Sequence, residues 1–144
     1  MKGEPAAPHN NVATVTAEDN EGTDASDSDD ADVDYNDVAP KIDVTKTANP
    51  TSVPETGADV TFTITVENIG TEPVTLIGAV DTVFGPIDVM EFDKQYLIVG
   101  DTATYSFTEW MEGEPATPHE NVVTVTAEDN EGTDASDSDD ADVD

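Results

Sequence analysis

The chain has 144 residues, 34 of them acidic against four lysines (Lys2, Lys41, Lys46 and Lys94) and no arginine, for a net charge of -30. That balance excludes nucleic acid, whose phosphates demand a basic face, and it opposes an anionic membrane surface; no apolar run approaches the roughly 18 residues of a membrane span. Cysteine is absent, which excludes disulfides and thiolate metal sites, and any export signal is expected outside these residues, because no hydrophobic signal segment is present.

In chain order, the first element is a copy of the last. Residues 1–34 align with 111–144 at an offset of 110 and differ only at Lys2/Glu112, Ala7/Thr117, Asn10/Glu120 and Ala13/Val123. The pattern predicts a tandem array of 110-residue repeats, with 1–34 as the closing strands of one repeat and 35–144 as the whole of the next. Met1 matches Met111 and so need not mark a chain start.

Within 35–144 the elements are strands. "KIDVTKTA" (41–48) is the first. "ADVTFTITVEN" (58–68) follows, with Val60, Phe62, Ile64 and Val66 on one face and threonines on the other. "PVTLIGAV" (73–80), an irregular stretch over 87–99, "TATYSFTEW" (102–110), "ENVVTVTAED" (120–129) and the acidic run at 133–143 complete the set. Breakers such as "ANPTSVPETG", "ENIGTEP", "VFGP" and "DNEG" separate them. About seven short strands with frequent turns predict an all-β, immunoglobulin-like antiparallel sandwich. The core is expected from Ile42, Val44, Phe62, Ile64, Val66, Leu76, Val80, Leu97, Tyr105, Phe107, Val123 and Val125.

The last strand, "TDASDSDDADVD", holds six aspartates in twelve residues. Same-face neighbours about 7 Å apart repel by roughly 0.6 kcal/mol per pair even in bulk water. Either multivalent cations or high salt would relieve this. Calcium, which takes six to eight oxygen ligands, is favoured by the residues that follow the first copy of the run.

Those residues, "DVDYNDVAPK" (32–41), resemble the calcium-binding linker of cadherins, D-x-N-D-N-x-P. Asp34, Asn36, Asp37 and Pro40 match, and Val38 stands where that motif has its second asparagine. "VTAEDNEG" (125–132) resembles the cadherin turn A-x-D, with Asp129 at the ligand position, and Pro54–Glu55 resembles its proline–glutamate pair. No match to the D-R-E element is found, though Glu112 and Glu114 fall in that region. The remainder of 40–144 resembles the conserved Ig-like repeats of prokaryotic surface proteins. Lys46, Thr47 and Pro50 carry its K-T-x-x-P start, and Val60, Phe62, Ile64, Val66, Asn68 and Gly70 its second strand.

These resemblances imply a calcium site where one repeat meets the next, drawing on Asp32, Asp34, Asn36, Asp37, Glu67, Asn68, Asp129 and Glu131. They imply an extracellular or cell-surface location and a structural role: a calcium-stiffened filament or adhesin stalk whose partners are neighbouring copies of the same repeat. The alternatives are a glycan- or protein-binding surface module and a non-covalent, strand-exchanged filament subunit. His9 and His119 read as surface residues of a proline-rich turn, and Trp110 as a cap on the core. No nucleophile–base arrangement is recognisable, so no enzymatic activity is expected.

Overall fold

A computed structural model describes residues 9–33, 36–112 and 120–144. The chain divides into two compact units, Met1–Asp37 and Val38–Asp144.

The first unit is an antiparallel hairpin of β1 (His9–Glu18) and β2 (Asp24–Val33), which pairs Glu18 with Asp24 and His9 with Val33. Its turn is closed by Asp19, whose Oδ1 accepts from the backbone N–H of Glu21 and of Thr23, each at 2.9 Å. Gly22 takes the positive φ of 83° that the turn requires.

The second unit is the expected sandwich, with eight strands. One sheet has the order β3 (Ile42–Asn49), β4 (Ala58–Asn68), β8 (Thr102–Met111). The other runs β10 (Asp134–Asp140), β9 (Val122–Glu128), β5 (Val74–Asp81), β6 (Gly85–Ile87), with β7 (Tyr96–Leu97) also paired to β5. All pairings are antiparallel. Where one irregular strand is predicted over 87–99, the chain instead forms β6, a single 3-10 turn (Val89–Glu91) and β7. Asp88 caps that turn by accepting from the Met90 N–H at 3.0 Å.

Strict alternation on β4 buries Ile64 and Val66 in one cluster with Val123, Val125 and Ala127 of β9 and Leu76 of β5, and Val60 and Phe62 in a second with Met111 and Val143. Phe62, Phe84 and Phe107 pack with ring centroids 5.2–5.4 Å apart, and Tyr105 and Phe92 extend the chain of rings. One expected core residue is displaced. Val80 is 55% exposed, because the β5–β9 register shifts between Leu76 and Gly78. That bulge reverses the alternation, so Ala79 and Asp81 face inward in place of Gly78 and Val80.

The acidic strand does more than repel itself. On β10, Asp137 and Asp139 are half-buried, and their Oδ2 atoms accept from the backbone N–H groups of Val44 (2.8 Å) and Lys46 (2.7 Å) on β3. β3 and β10 are the edge strands of the two sheets. Carboxylates thus satisfy the open N–H groups of β3 and close one side of the sandwich without a ladder. Beyond β10, the Asp144 N–H donates to the Thr51 carbonyl at 2.9 Å, and Val53 donates to the Asp144 carbonyl at 2.7 Å.

Candidate functional site

Two turns at one end of the sandwich carry the candidate ligands. The register pairs Thr75 with Glu128, so the turn entering β5 lies beside the turn leaving β9. In the first turn Asn68 is 99% buried and its carboxamide is fully engaged. Its Nδ2 donates to the carbonyls of Glu72 (2.7 Å) and Leu97 (3.0 Å), and its Oδ1 accepts from Gly70 N–H (3.0 Å). Gly70 lets the chain pass close here, since a Cβ would stand 3.0 Å from the backbone nitrogen of Lys41 and would crowd it. Asn68 therefore acts on the site indirectly, by fixing the backbone of Glu72.

In the second turn Asp129 is only 5% exposed. Its Oδ1 accepts from the N–H groups of Glu131 (2.9 Å) and Thr133 (2.8 Å), while its Oδ2 is buried with no hydrogen-bond partner. Glu72 likewise has a buried, unpartnered Oε2. Within the sandwich, Glu72, Asp129 and Glu131 each offer a carboxylate oxygen, and these oxygens lie within 4.8 Å of one another. At that separation each like-charged pair repels by about 0.9 kcal/mol in bulk water and by more near protein. Two ligands on opposite sides of a calcium ion, each about 2.4 Å from it, would be about 4.8 Å apart. The spread of the three oxygens suits a single divalent ion.

The other predicted ligands are placed as follows. Glu67 is exposed on β4, opposite Asp43 and Thr102, on the face turned away from the core. Asp32 belongs to the hairpin unit, where its Oδ1 accepts from Asn10 Nδ2 at 2.6 Å. Asn36 and Asp37 are exposed and end that unit. Asp34 lies outside the described residues, as do Glu114, His119 and the side chain of His9. Glu55 is exposed in the turn closed by the Gly57 N–H and the Pro54 carbonyl, at the end of the β3–β4 pair opposite Asn68. Glu112 accepts from the Trp110 indole N–H at 3.4 Å.

Glu72 is absent from the predicted set. It stands in the same "ENIGTEP" turn as Glu67 and Asn68. Alternation along β4 would have separated them, because it turns Glu67 outward and leaves the far side of the turn to supply the carboxylate.

No family model matches the chain, and no curated protein matches it. Among solved structures it is similar to the crystal structure of a protein assigned as ApaA from Bordetella pertussis, at 19% sequence identity and a TM-score of 0.45, over 70% of this chain and 87% of that one. A likeness at this level adds nothing to the fold described above or to its function.

Proposed function

We propose that the chain is a structural module of an extracellular filament or stalk built from tandem immunoglobulin-like repeats, without catalytic activity. One observation carries the reading. The hairpin of β1 and β2 has the sequence and register of β9 and β10, yet its inward face is bare. Such a hairpin is the closing third of a sandwich, and a lone two-stranded piece is marginal in water. It is completed by a β3–β8 set, that of a preceding repeat in the same polypeptide. Agreement at all but four of 34 aligned positions favours such an array over diversified binding modules.

Calcium stiffens the array at its joints. Glu72, Asp129 and Glu131 supply the module's carboxylates for that ion. An ion that binds only the folded state stabilises by about 2.7 kcal/mol per site at hundredfold excess over Kd. Chelation should lower the melting temperature, and millimolar Ca²⁺ should restore it. If molar NaCl restores it equally, screening rather than a site explains the acidity. For the array itself, the filament protein boiled in detergent and chelator should migrate many repeats long. A band near the 15.2 kDa of this chain would favour strand exchange between separate copies. A glycan-binding role has thin support: the cleft beside Asp129, lined by Pro73, Thr75 and Tyr96, holds about 250 Å³, below the usual range for ligand pockets.

A further inference from the structure

Trp110, expected as a cap on the core, is instead 58% exposed on the outward face of the sheet of β3, β4 and β8. Its indole is backed by Gly57. A Cβ at Gly57 would stand 2.6 Å from two ring atoms and 2.7 Å from Nε1, so any side chain there would displace the ring. The ring is also tethered, because Nε1 donates to Glu112 Oε2 at 3.4 Å. A large apolar ring left in water forfeits the stabilisation that burial would give it. Held from behind and at its edge, it is preorganised to receive a ligand on its open side.

The surface next to Trp110 carries hydroxyls and no charge. Moving away from it, the outward positions of β8 and β4 pair as Thr108 with Thr61, Ser106 with Thr63 and Thr104 with Thr65. β3 continues the last two rows with threonine. Hydroxyls meet across the strands at 2.9 Å (Thr61–Thr108) and 3.0 Å (Thr63–Ser106). Outward threonine is ordinary on a strand. A chain with a net charge of -30 nevertheless places no charged residue in these three rows. Charge returns at their ends, with Asp59 opposite Trp110 and with Asp43 and Glu67 beyond Thr65.

We infer that this face binds a neutral polysaccharide, an extended β-1,4-linked pyranose chain that starts on Trp110 and runs along β4 and β8. The chemistry selects this ligand. A pyranose ring has an apolar face of C–H groups and a rim of hydroxyls. The C–H face stacks on the indole. The rim both donates to and accepts from threonine and serine hydroxyls, which can do either. Asp59, in register with Trp110, accepts from a sugar seated there. Anionic glycans and nucleic acid are repelled by the charge of the whole chain, and a polycation finds no carboxylate between the ends of the rows. Outward residues about 7 Å apart along a strand make a platform rather than a pocket. The small volume of the cleft beside Asp129, which borders the other sheet, therefore sets no limit on this surface. In a tandem array the face recurs once per repeat, and weak single contacts add up to avidity.

The test is a titration of the full chain with cellohexaose and with chitohexaose, read by calorimetry and by the emission of its single tryptophan. At least one of these neutral hexamers should bind saturably and shift the emission, and anionic hexagalacturonate should do neither. Trp110→Ala should weaken binding about tenfold or more in calorimetry. Thr63→Glu keeps the tryptophan and puts a carboxylate in the middle row, and it should weaken binding to a similar degree. As an outward substitution it should leave the fold intact, so it decides the matter even if Trp110→Ala does not fold. Tyr96→Ala, at the cleft beside Asp129, should bind as wild type does. Failure of both neutral hexamers to bind would overturn the inference. Equal binding of hexagalacturonate would overturn it in favour of non-specific adsorption. Binding lost in Tyr96→Ala and kept in Trp110→Ala would move the sugar to the cleft and overturn the assignment to this face.

Discussion

The two copies of one hairpin sit in opposite environments. β1–β2 and β9–β10 share turn and register: Glu18 pairs with Asp24 as Glu128 pairs with Asp134. Val15 is 71% exposed, and its counterpart Val125 is 0%; Val33 is 47% exposed, and Val143 1%. Asn11 is exposed where Asn121 is buried, and Asp27 and Asp29 are exposed where Asp137 and Asp139 bind the β3 backbone. The difference separates what a hairpin specifies locally from what its partner supplies. Turn chemistry and strand pairing are local, because Asp19 and Asp129 organise the same two N–H groups in both copies. Burial of the valines and employment of the aspartates are gifts of β3–β8.

The sharpest way to break this comparison is to place a charge at the twin positions. Val125→Asp buries an unpaired carboxylate in the core, a class of change that costs more than about 4 kcal/mol. Set against a margin of roughly 5–15 kcal/mol, it should leave the sandwich unfolded or close to it by urea denaturation. Val15→Asp should stay within about 0.5 kcal/mol of wild type in the isolated chain, yet destabilise a longer chain in which a preceding repeat covers this face as proposed. Equal losses in the isolated chain would mean that the first hairpin is already covered there.

A smaller effect separates the aspartates. Removing both Asp137 and Asp139 by alanine substitution leaves the N–H groups of Val44 and Lys46 without their carboxylates. Hydrogen bonds to charged groups contribute about 1.5–3 kcal/mol each when buried; these are half-buried, so about 1–2 kcal/mol each is expected. The twin pair, Asp27→Ala with Asp29→Ala, should cost nothing in the isolated chain and should relieve repulsion slightly. If removing Asp137 and Asp139 is instead stabilising, repulsion along β10 outweighs the edge bonds, and the acidic run is a burden after all.

The comparison also shows which features could be read from residues alone. Strand positions and the core of β4 follow from period two, a property of the chain itself. The shared hairpin follows from the 110-residue repeat. Val80 was misplaced because a bulge breaks the alternation it relied on, and no residue between Leu76 and Gly78 announces one beyond the glycine. Asp129 enters through the resemblance of "VTAEDNEG" to the cadherin A-x-D turn, and Glu131 lies in the same turn. Glu72 was not legible, because its position depends on how Asn68 folds the turn back. The role of Asp137 and Asp139 depends on β3 lying against β10, a contact between segments 93 residues apart that local pattern cannot reveal. Lys46 stands in phase with Ile42 and Val44, so alternation along β3 directs it into the core.

The smallest expected effect concerns the turn that both copies share, and it is best read in the exposed one. The N–H groups of Thr23 and then Glu21 hold the Asp19 carboxyl below its ordinary value of 3.8. A carboxylate with a depressed folded-state value stabilises the fold fully above the unfolded value. That contribution fades as pH falls below 3.8 and through the lower folded-state value. Acidification also lowers the negative charge density along the acidic β2, which weakens repulsion and favours the hairpin. The two effects have opposite signs and different addresses. Amide exchange, corrected for its intrinsic pH dependence, should show protection at Glu21 and Thr23 falling on acidification below pH 3.8, while protection in the middle of β2 holds or rises. Asp19→Asn keeps the acceptor oxygen without the titration, so its turn amides should lose this pH response while mid-strand protection behaves as before. If the turn amides of wild type gain protection together with the strand, repulsion rather than the Asp19 carboxylate governs the exposed hairpin, and the two copies differ in their turns as well as in their faces.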